Sequence, residues 1–299
     1  MDKNKPFIVA CIPAYNEEKS IAGVIVRAMN YVDRVIVCDD GSTDMTGVIA
    51  ERLGAEVIRH ERNLGYGAAL TSLFRRAREV DADVMVVLDA DGQHDPDEIP
   101  RLIKPVLDGE SDIVSGSRFL SEENDIPSYR RWGINRITKL ANFTSYEGIT
   151  DAQSGFRAYG KKAIHSIIPV EQGMGASVEI LMRAKDAGLR VKEVPVKVNY
   201  DVEEPSTHNP LYHGVDVVLS IIKHYSIRHP LLFYGVPGFL ALVLATVFWV
   251  WTLQTFAATR QVITNIALMA IGATMIGLML LTTAMILWVL VSVIRERVY

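Results

Sequence analysis

The sequence predicts a doubly wound, mostly parallel α/β sheet, followed by an amphipathic interfacial helix and a two-helix transmembrane hairpin. Three observations lead there. Short β-branched runs alternate with helix-period segments through the front of the chain. Charged and amide residues gather where those runs end. Beyond residue 228, charge all but disappears.

The chain has 299 residues, 49% of them hydrophobic and 22% charged, with a mean hydropathy of +0.17. Residues 1–228 hold 28 of the 31 Lys/Arg and 34 of the 35 Asp/Glu, a net of −6, and residues 229–299 hold only Arg260, Arg295, Arg297 and Glu296. This distribution excludes an intrinsically disordered chain and a purely soluble one. Two cysteines exclude a disulfide scaffold; Cys11 and Cys38 fall inside apolar runs and are expected as buried, reduced thiols. An acidic front section has no general attraction for nucleic acid. An anionic partner must then be met by a local basic cluster.

Residues 7–12, 34–38, 56–59, 83–88 and 113–116 read as strands, and 17–30, 45–53, 66–79, 97–107 and 175–188 as helices. Continuous apolar strands separated by helices are the pattern of a parallel sheet covered on both faces. Right-handed crossovers then give a doubly wound layer structure, whose ligands sit beyond the C-terminal ends of the strands.

In the tail, residues 231–256 and 263–294 each exceed the about 20 apolar residues a bilayer core requires. Gly235, Pro237 and Gly238 are tolerable in a membrane helix, and Trp249, Trp251 and Trp288 suit interfacial belts. Lys223, Arg228, Arg295 and Arg297 flank the outer ends, whereas the connection holds only Arg260. The positive-inside rule therefore puts both termini in the cytoplasm of a two-span cell-membrane protein. The N-terminal run is too short and lacks the cleavage pattern expected of a signal peptide. The expected division is a cytoplasmic domain over 1–210, a juxtamembrane amphipathic helix over 211–229 and two spans over 230–299.

The strand ends carry the chemistry. Asp89-Ala90-Asp91 closes an apolar strand and points two hard carboxylates into one turn, with Gln93 offering another oxygen. Such donors suit Mg²⁺ or Mn²⁺, which take one or two carboxylates together with substrate phosphates. His94 beside them is expected to pack or hydrogen-bond rather than ligate. Asp39 and Asp40 end the second strand, where a carboxylate can accept from a base N–H or a ribose hydroxyl; Ser42 or Asp44 is expected to cap the next helix. Gly65-Tyr66-Gly67 is a weak glycine loop without the ending of a P-loop, and no dinucleotide fingerprint follows the first strand.

Pro13-Ala14-Tyr15-Asn16-Glu17, Asp39-Asp40-Gly41-Ser42-Thr43-Asp44, Asp89-Ala90-Asp91-Gly92-Gln93-His94, Gly116-Ser117-Arg118 and Asp151-Ala152-Gln153-Ser154-Gly155-Phe156 stand in one order. That order resembles family 2 glycosyltransferases of the GT-A, Rossmann-like fold, and among them the polyprenyl- or dolichyl-phosphate sugar synthases. The resemblance covers about residues 7–200. It implies inverting sugar transfer from a nucleotide-sugar donor, UDP- or GDP-linked, onto a lipid monophosphate. It implies Asp89, Asp91 and Gln93 as holders of the metal and donor diphosphate. Pro13, Tyr15, Glu17, Asp39, Asp40 and Ala90 form the donor set. Arg118, Arg130, Arg131 and Ser154 form the acceptor set, with Asp89, Asp91, Arg118 and Arg130 carrying catalysis.

Independent chemistry points the same way. A phosphate monoester has its second pKa at about 6 and is largely a dianion at neutral pH, so it attacks with little help from a base. The site must supply positive charge on the leaving diphosphate and on the attacking phosphate. Arg118, Arg130, Arg131 and Arg136 provide guanidinium groups in an otherwise acidic domain. Residues 129–146 interleave Trp132, Ile134, Ile137, Leu140 and Phe143 with basic side chains, which reads either as an interfacial helix carrying the acceptor site or as an ordinary surface helix. Ser154-Gly155 allows close backbone approach in the acceptor-side loop, and Glu179 is expected near the pocket floor.

The family pattern breaks from Tyr200, where no arginine fills the expected slot; Thr207, His208 and Asn209 read either as donors over the diphosphate or as linker. Residues 214–227 read as an amphipathic helix on the bilayer. A processive polysaccharide synthase would carry a Gln-x-x-Arg-Trp motif, but Ser128 stands where its Gln should be. A non-catalytic scaffold would show a degraded metal motif, and this one is intact. The sugar, the lipid length and the oligomeric state are not written in the sequence.

Overall fold

The computed structural model describes residues 5–120, 149–171, 173, 175–198, 219, 222, 225–227 and 229–298. Two compact units divide at Ile221 and Ile222. The expected 210/211 boundary lies outside the described residues.

The first unit is built on a seven-stranded sheet of order β3-β2-β1-β4-β6-β5-β7. Its strands are β1 (Ile8–Ala14), β2 (Arg34–Asp39), β3 (Glu56–Arg59), β4 (Val84–Val87), β5 (Ile113–Ser117), β6 (Arg157–Gly160) and β7 (Val191–Pro195). All pairs are parallel except those of β6, which runs antiparallel to both β4 and β5. The helices are α1 (Ile21–Ala28), α2 (Thr46–Arg52), α3 (Tyr66–Glu79), α4 (Ile99–Leu107), α5 (Lys161–Ser166) and α6 (Ala176–Asp186).

Side-chain alternation along the central strands sends residues to two cores. Ile8, Ala10 and Ile12 of β1 pack with Ile21, Val24 and Ile25 of α1 and with Ile99 and Leu102 of α4. Val9 and Cys11 face the other way, toward Leu70, Leu73 and Phe74 of α3 and Ile164 and Ile180 of α5 and α6. Two buried layers on one sheet make the predicted doubly wound architecture. Cys11 and Cys38 are free and buried. Burial pushes the Cys38 thiol up to about 12, with Asp40 and Asp39 adding to the rise, and pushes Cys11 still higher.

Two expected helices start later than their sequence pattern. Residues 17–20 form a turn rather than the first turn of α1, because side chains from the next loop satisfy the backbone there. Residues 96–98 form a 3₁₀ turn ahead of α4, with Asp95 accepting from the Asp97 amide at 3.0 Å.

The second unit contains α7 (Val236–Thr259), entered through a π turn over Leu231–Gly235, and α8 (Thr264–Val298). Two candidate membrane spans result, Leu231–Thr259 and Thr264–Val293. At 29 and 30 residues each is about 44 Å long. That exceeds a hydrocarbon core of about 30 Å. Arg260, in the left-handed conformation at φ 54°, closes the first. Gly238 and Gly277 let the helices touch: a Cβ on Gly277 would lie 3.0 Å from the Gly238 carbonyl oxygen and 2.7 Å from the Leu242 side chain. The Trp249 indole N–H donates across the pair to Thr274 Oγ1 at 3.1 Å.

Candidate active site

The loops after β1 and β2 form one cross-linked edge. Asn16 adopts φ 56°, and its amide donates to Ser42 Oγ at 3.0 Å while its own Oδ1 accepts from the Thr43 amide at 2.8 Å. The Glu17 amide donates to Thr46 Oγ1 at 2.7 Å, and the Glu18 amide to Asp44 Oδ2 at 3.1 Å. Asp44 also accepts from the Thr46 amide at the start of α2, at 2.9 Å. Pro13 is buried within β1, whereas Tyr15 stands 39% exposed on this edge.

Asp39 and Asp40 are both buried but differently engaged. Asp39 Oδ1 accepts from the Ser42 amide at 2.9 Å, and its Oδ2 lies 3.9 Å from Arg59 Nε. Gly47 packs against it so closely that a Cβ there would fall 2.3 Å from Oδ2. Asp40 is committed to its own fold: Oδ1 meets His60 Nδ1 at 2.6 Å and the Leu64 amide at 3.0 Å, while Oδ2 accepts from the Gly65 amide at 2.8 Å. His60 Nε2 in turn lies 2.9 Å from Ser72 Oγ. Asp40 therefore ties the β3–α3 loop to the end of β2.

Beyond β4, Gly92 takes φ +75° to turn the chain, and the Gln93 amide donates to Asp91 Oδ1 at 2.9 Å. Ala90 is buried between the two carboxylates. Asp89 Oδ1 is buried without a hydrogen-bond partner among the described residues. Burial pushes the Asp89 carboxyl up to about 6, against the pull of Arg118 and a Tyr66 hydrogen bond. Asp91 is raised by burial and then by Asp89. Glu17 is raised by burial, with Asp91 and Asp89 adding to it and Ser20 opposing. Three carboxylates from two loops thus feel one another.

His94 is buried and stacks on Phe156 with ring centroids 5.1 Å apart. Burial pushes it down to about 4, so the 3.6 Å approach of its Nδ1 to Asp89 Oδ2 is a contact of a neutral ring. It packs, as the sequence led us to expect.

The third side of the site is the loop before β6. Asp151, fully buried, accepts from Arg118 Nε at 2.6 Å. Glu193 on β7 holds that loop, taking the Thr150 amide at 2.8 Å and the Asp151 amide at 3.0 Å. Ser154 is buried, and Gly155 presses on Asp89: a Cβ there would lie 2.8 Å from Asp89 Oδ2 and 3.0 Å from the Tyr66 hydroxyl. Burial raises Tyr66 well above its ordinary value, with Asp89 next among the causes.

The structure therefore brings Asp89, Asp91, Glu17 and Arg118 together, with Ser154 in the adjoining loop and Asp39 on the β2 edge. Arg130, Arg131, the 129–146 segment and Thr207–Asn209 of the sequence reading lie outside the described residues. Glu179 holds a loop: Oε2 accepts from the Val170 and Glu171 amides at 3.0 and 2.9 Å, and Oε1 from Arg183 Nε at 2.8 Å. Sequence reasoning missed Tyr66, Asp151 and Arg157 as site residues. Each stood in or beside a motif already marked, but apart from the Arg157–Ala152 contact, five residues apart, the partners that place them lie 20 or more residues away.

The acidic pair fits a hard divalent cation. Among the described residues no group of three or more His, Cys, Asp or Glu forms a self-contained cage. A buried carboxylate oxygen without a partner, beside a second carboxylate, matches an ion that takes its remaining ligands from phosphates and water.

A family model described as glycosyl transferase family 2 matches residues 9–168. The UDP-N-acetylglucosamine–dolichyl-phosphate N-acetylglucosaminyltransferase of Methanococcus voltae is 34% identical over 240 residues, covering 73% of this chain and 93% of that protein. The dolichyl-phosphate hexose transferase of Haloferax volcanii is 32% identical, covering 70% and 90%. Polyprenol monophosphomannose synthase of Mycolicibacterium smegmatis is 31% identical, covering 62% and 74%. Among solved structures, glucosyl-3-phosphoglycerate synthase of Mycobacterium tuberculosis, crystallised with Mn²⁺ and UDP, superposes at a TM-score of 0.58 and 24% identity, over 74% of this chain and 80% of that one. Fold, motif order and relatives agree, and the chain belongs to glycosyl transferase family 2.

Proposed function

We propose that this protein transfers a sugar from a UDP- or GDP-linked donor to a polyprenyl or dolichyl phosphate, inverting the anomeric carbon, at the cytoplasmic leaflet of the cell membrane. The observation that carries the reading is the unpartnered Asp89 oxygen next to Asp91, with the Arg118 guanidinium close enough to pull on Asp89. The relatives named for transfer to dolichyl or polyprenyl phosphate, and the two candidate spans, support the lipid as acceptor.

Asp39 receives the nucleoside, with Pro13 and Tyr15 along the same edge, while Asp40 keeps the neighbouring loop in register. Asp89 and Asp91 would hold Mg²⁺ or Mn²⁺, with Gln93 as a further oxygen, and such an ion would supply positive charge to the leaving diphosphate. Arg118, oriented by Asp151, binds the acceptor phosphate, and Arg130 and Arg131 add charge to the same lip. No side chain has to remove a proton, because the acceptor arrives largely as a dianion. The chain's work is to align the two phosphates in line and keep water away. The paucity of basic residues between the spans supports a cytoplasmic placement for both termini.

The test is an incubation of the purified full-length protein with a panel of radiolabelled UDP- and GDP-sugars, dolichyl phosphate and Mn²⁺. One donor should yield organic-extractable label. Label confined to a water-soluble polymer, or released as free sugar with every donor, contradicts the proposal.

A further inference from the structure

Arg157 opens β6 and is 1% exposed. A guanidinium carries a positive charge, and buried charges are normally paired. Among the described residues no carboxylate pairs with this one. Its arms reach neutral groups on β5, on α6 and in the loop before β6, and the Tyr159 hydroxyl on its own strand is a further neutral partner. Nη1 donates to the Ser177 carbonyl at 2.6 Å, Nη2 to the Ala152 carbonyl at 2.7 Å and Nε to Ser115 Oγ at 3.3 Å.

Two of those acceptors border the acidic pair. Ala152 lies between Asp151, which holds Arg118, and Gly155, whose missing Cβ leaves room for Asp89 and the Tyr66 hydroxyl. Ser177, in the first turn of α6, is itself a hydrogen-bond partner of Tyr66. Arg157 also sits opposite Val87 in the β4–β6 register, two residues ahead of Asp89. One cation therefore clamps the loop and the helix that enclose Asp89.

We propose that Arg157 is a positioning residue for the Asp89 end of the site. Its planar fork fixes the Gly155 backbone and the α6 terminus around Asp89 and Tyr66. It also leaves a positive charge with no carboxylate partner among the described residues one strand away from Asp89, where a nucleoside diphosphate and its divalent cation would bind. This use of the charge rests on the donor site described under the proposed function. An apolar residue of the same volume would avoid the cost of burying a charge, but it could not span three elements. Lysine keeps the charge and loses the fork.

Hydrogen–deuterium exchange on the full-length protein in detergent tests this, comparing wild type with Arg157→Lys and using Mn²⁺ with UDP and Mn²⁺ with GDP as probes. Amides of residues 151–156 should exchange about tenfold faster in the variant while those of β1 and β2 stay unchanged. Protection of residues 89–93 by the probe effective on wild type should be lost. Ser115→Ala removes only the longest arm and should raise exchange at 151–156 about twofold to threefold, so it serves if the lysine variant does not fold. Unchanged exchange at 151–156 in the folded variants overturns the proposal, as does a uniform rise across the sheet or intact probe protection. If neither probe protects residues 89–93 in wild type, the donor site fails instead, and exchange at 151–156 still decides whether Arg157 positions the loop.

Discussion

Arg118 Nε lies 2.6 Å from Oδ2 of Asp151, a carboxylate with no exposed side-chain surface. The guanidinium is thus held from behind, with 20% of its side chain left open. Arg118→Ala should raise the KM for dolichyl phosphate by about 100-fold, equivalent to about 2.7 kcal/mol of lost binding, and the donor KM far less. Arg118→Lys should recover only part, since lysine lacks the fork. Steady-state kinetics with each substrate varied in turn checks this; equal effects on both KM values would remove Arg118 from the acceptor side.

Burial raises the Asp91 carboxyl most, and repulsion from Asp89 adds to the rise while neither is neutralised. Asp91→Ala should abolish turnover yet leave the thermal midpoint in chelator unchanged or higher, because a like-charge contact has been removed. Turnover that survives in Asp91→Ala with added Mn²⁺ would contradict the metal assignment. In wild type, chelator should stop transfer and added Mn²⁺ or Mg²⁺ should restore it.

Gly47 sits in α2, where alanine would ordinarily gain about 1 kcal/mol in helix propensity. Here a Cβ would strike Asp39 Oδ2 at 2.3 Å. Gly47→Ala should therefore displace the Asp39 carboxylate, raising the donor KM about tenfold while leaving the lipid KM in place. A variant with wild-type donor KM would argue that Asp39 does not meet the nucleoside.

His94 gives a pH dependence with a definite sign. Its folded value falls from 6.5 to about 4, so between those values the unfolded chain binds more protons and stability drops as pH falls. Asp89, raised from 3.8 to about 6, acts oppositely over much of the same window. Removing the histidine should expose the Asp89 contribution. In chelator, the thermal midpoint of His94→Gln should fall less than that of wild type as pH is lowered from about 6.5 to about 4.5. An equal fall in both proteins would mean that His94 is not buried neutral.

These residues also mark how far the sequence could be read. β1, β2 and β4 are continuous apolar runs, visible because both of their faces are covered. β6, Arg-Ala-Tyr-Gly, begins with a charge and ends with a glycine, so nothing in its pattern announces a strand inserted in reverse between β4 and β5. β7 is an edge strand with a terminal Pro195, and its Glu193 serves the loop before β6 rather than the sheet. The Asp89-Ala90-Asp91 turn was legible because its chemistry is local. Asp40 was not distinguishable from Asp39, because what separates them is a loop at residues 60–65 that folds back onto one and not the other. Arg157 was invisible for a related reason: the Ala152 carbonyl is near in sequence, but Ser115 and Ser177, which its other arms reach, lie 42 and 20 residues away.

The central claim is that a lipid-borne phosphate attacks the donor sugar at the Asp89–Arg118 rim. Its most direct measurement compares dolichyl phosphate with unphosphorylated dolichol as acceptors for the full-length protein, with Mn²⁺ and the active nucleotide sugar held constant. Organic-extractable product should form with dolichyl phosphate alone and vanish in Asp91→Ala. Equal product from dolichol, or undiminished product from Asp91→Ala, would contradict it.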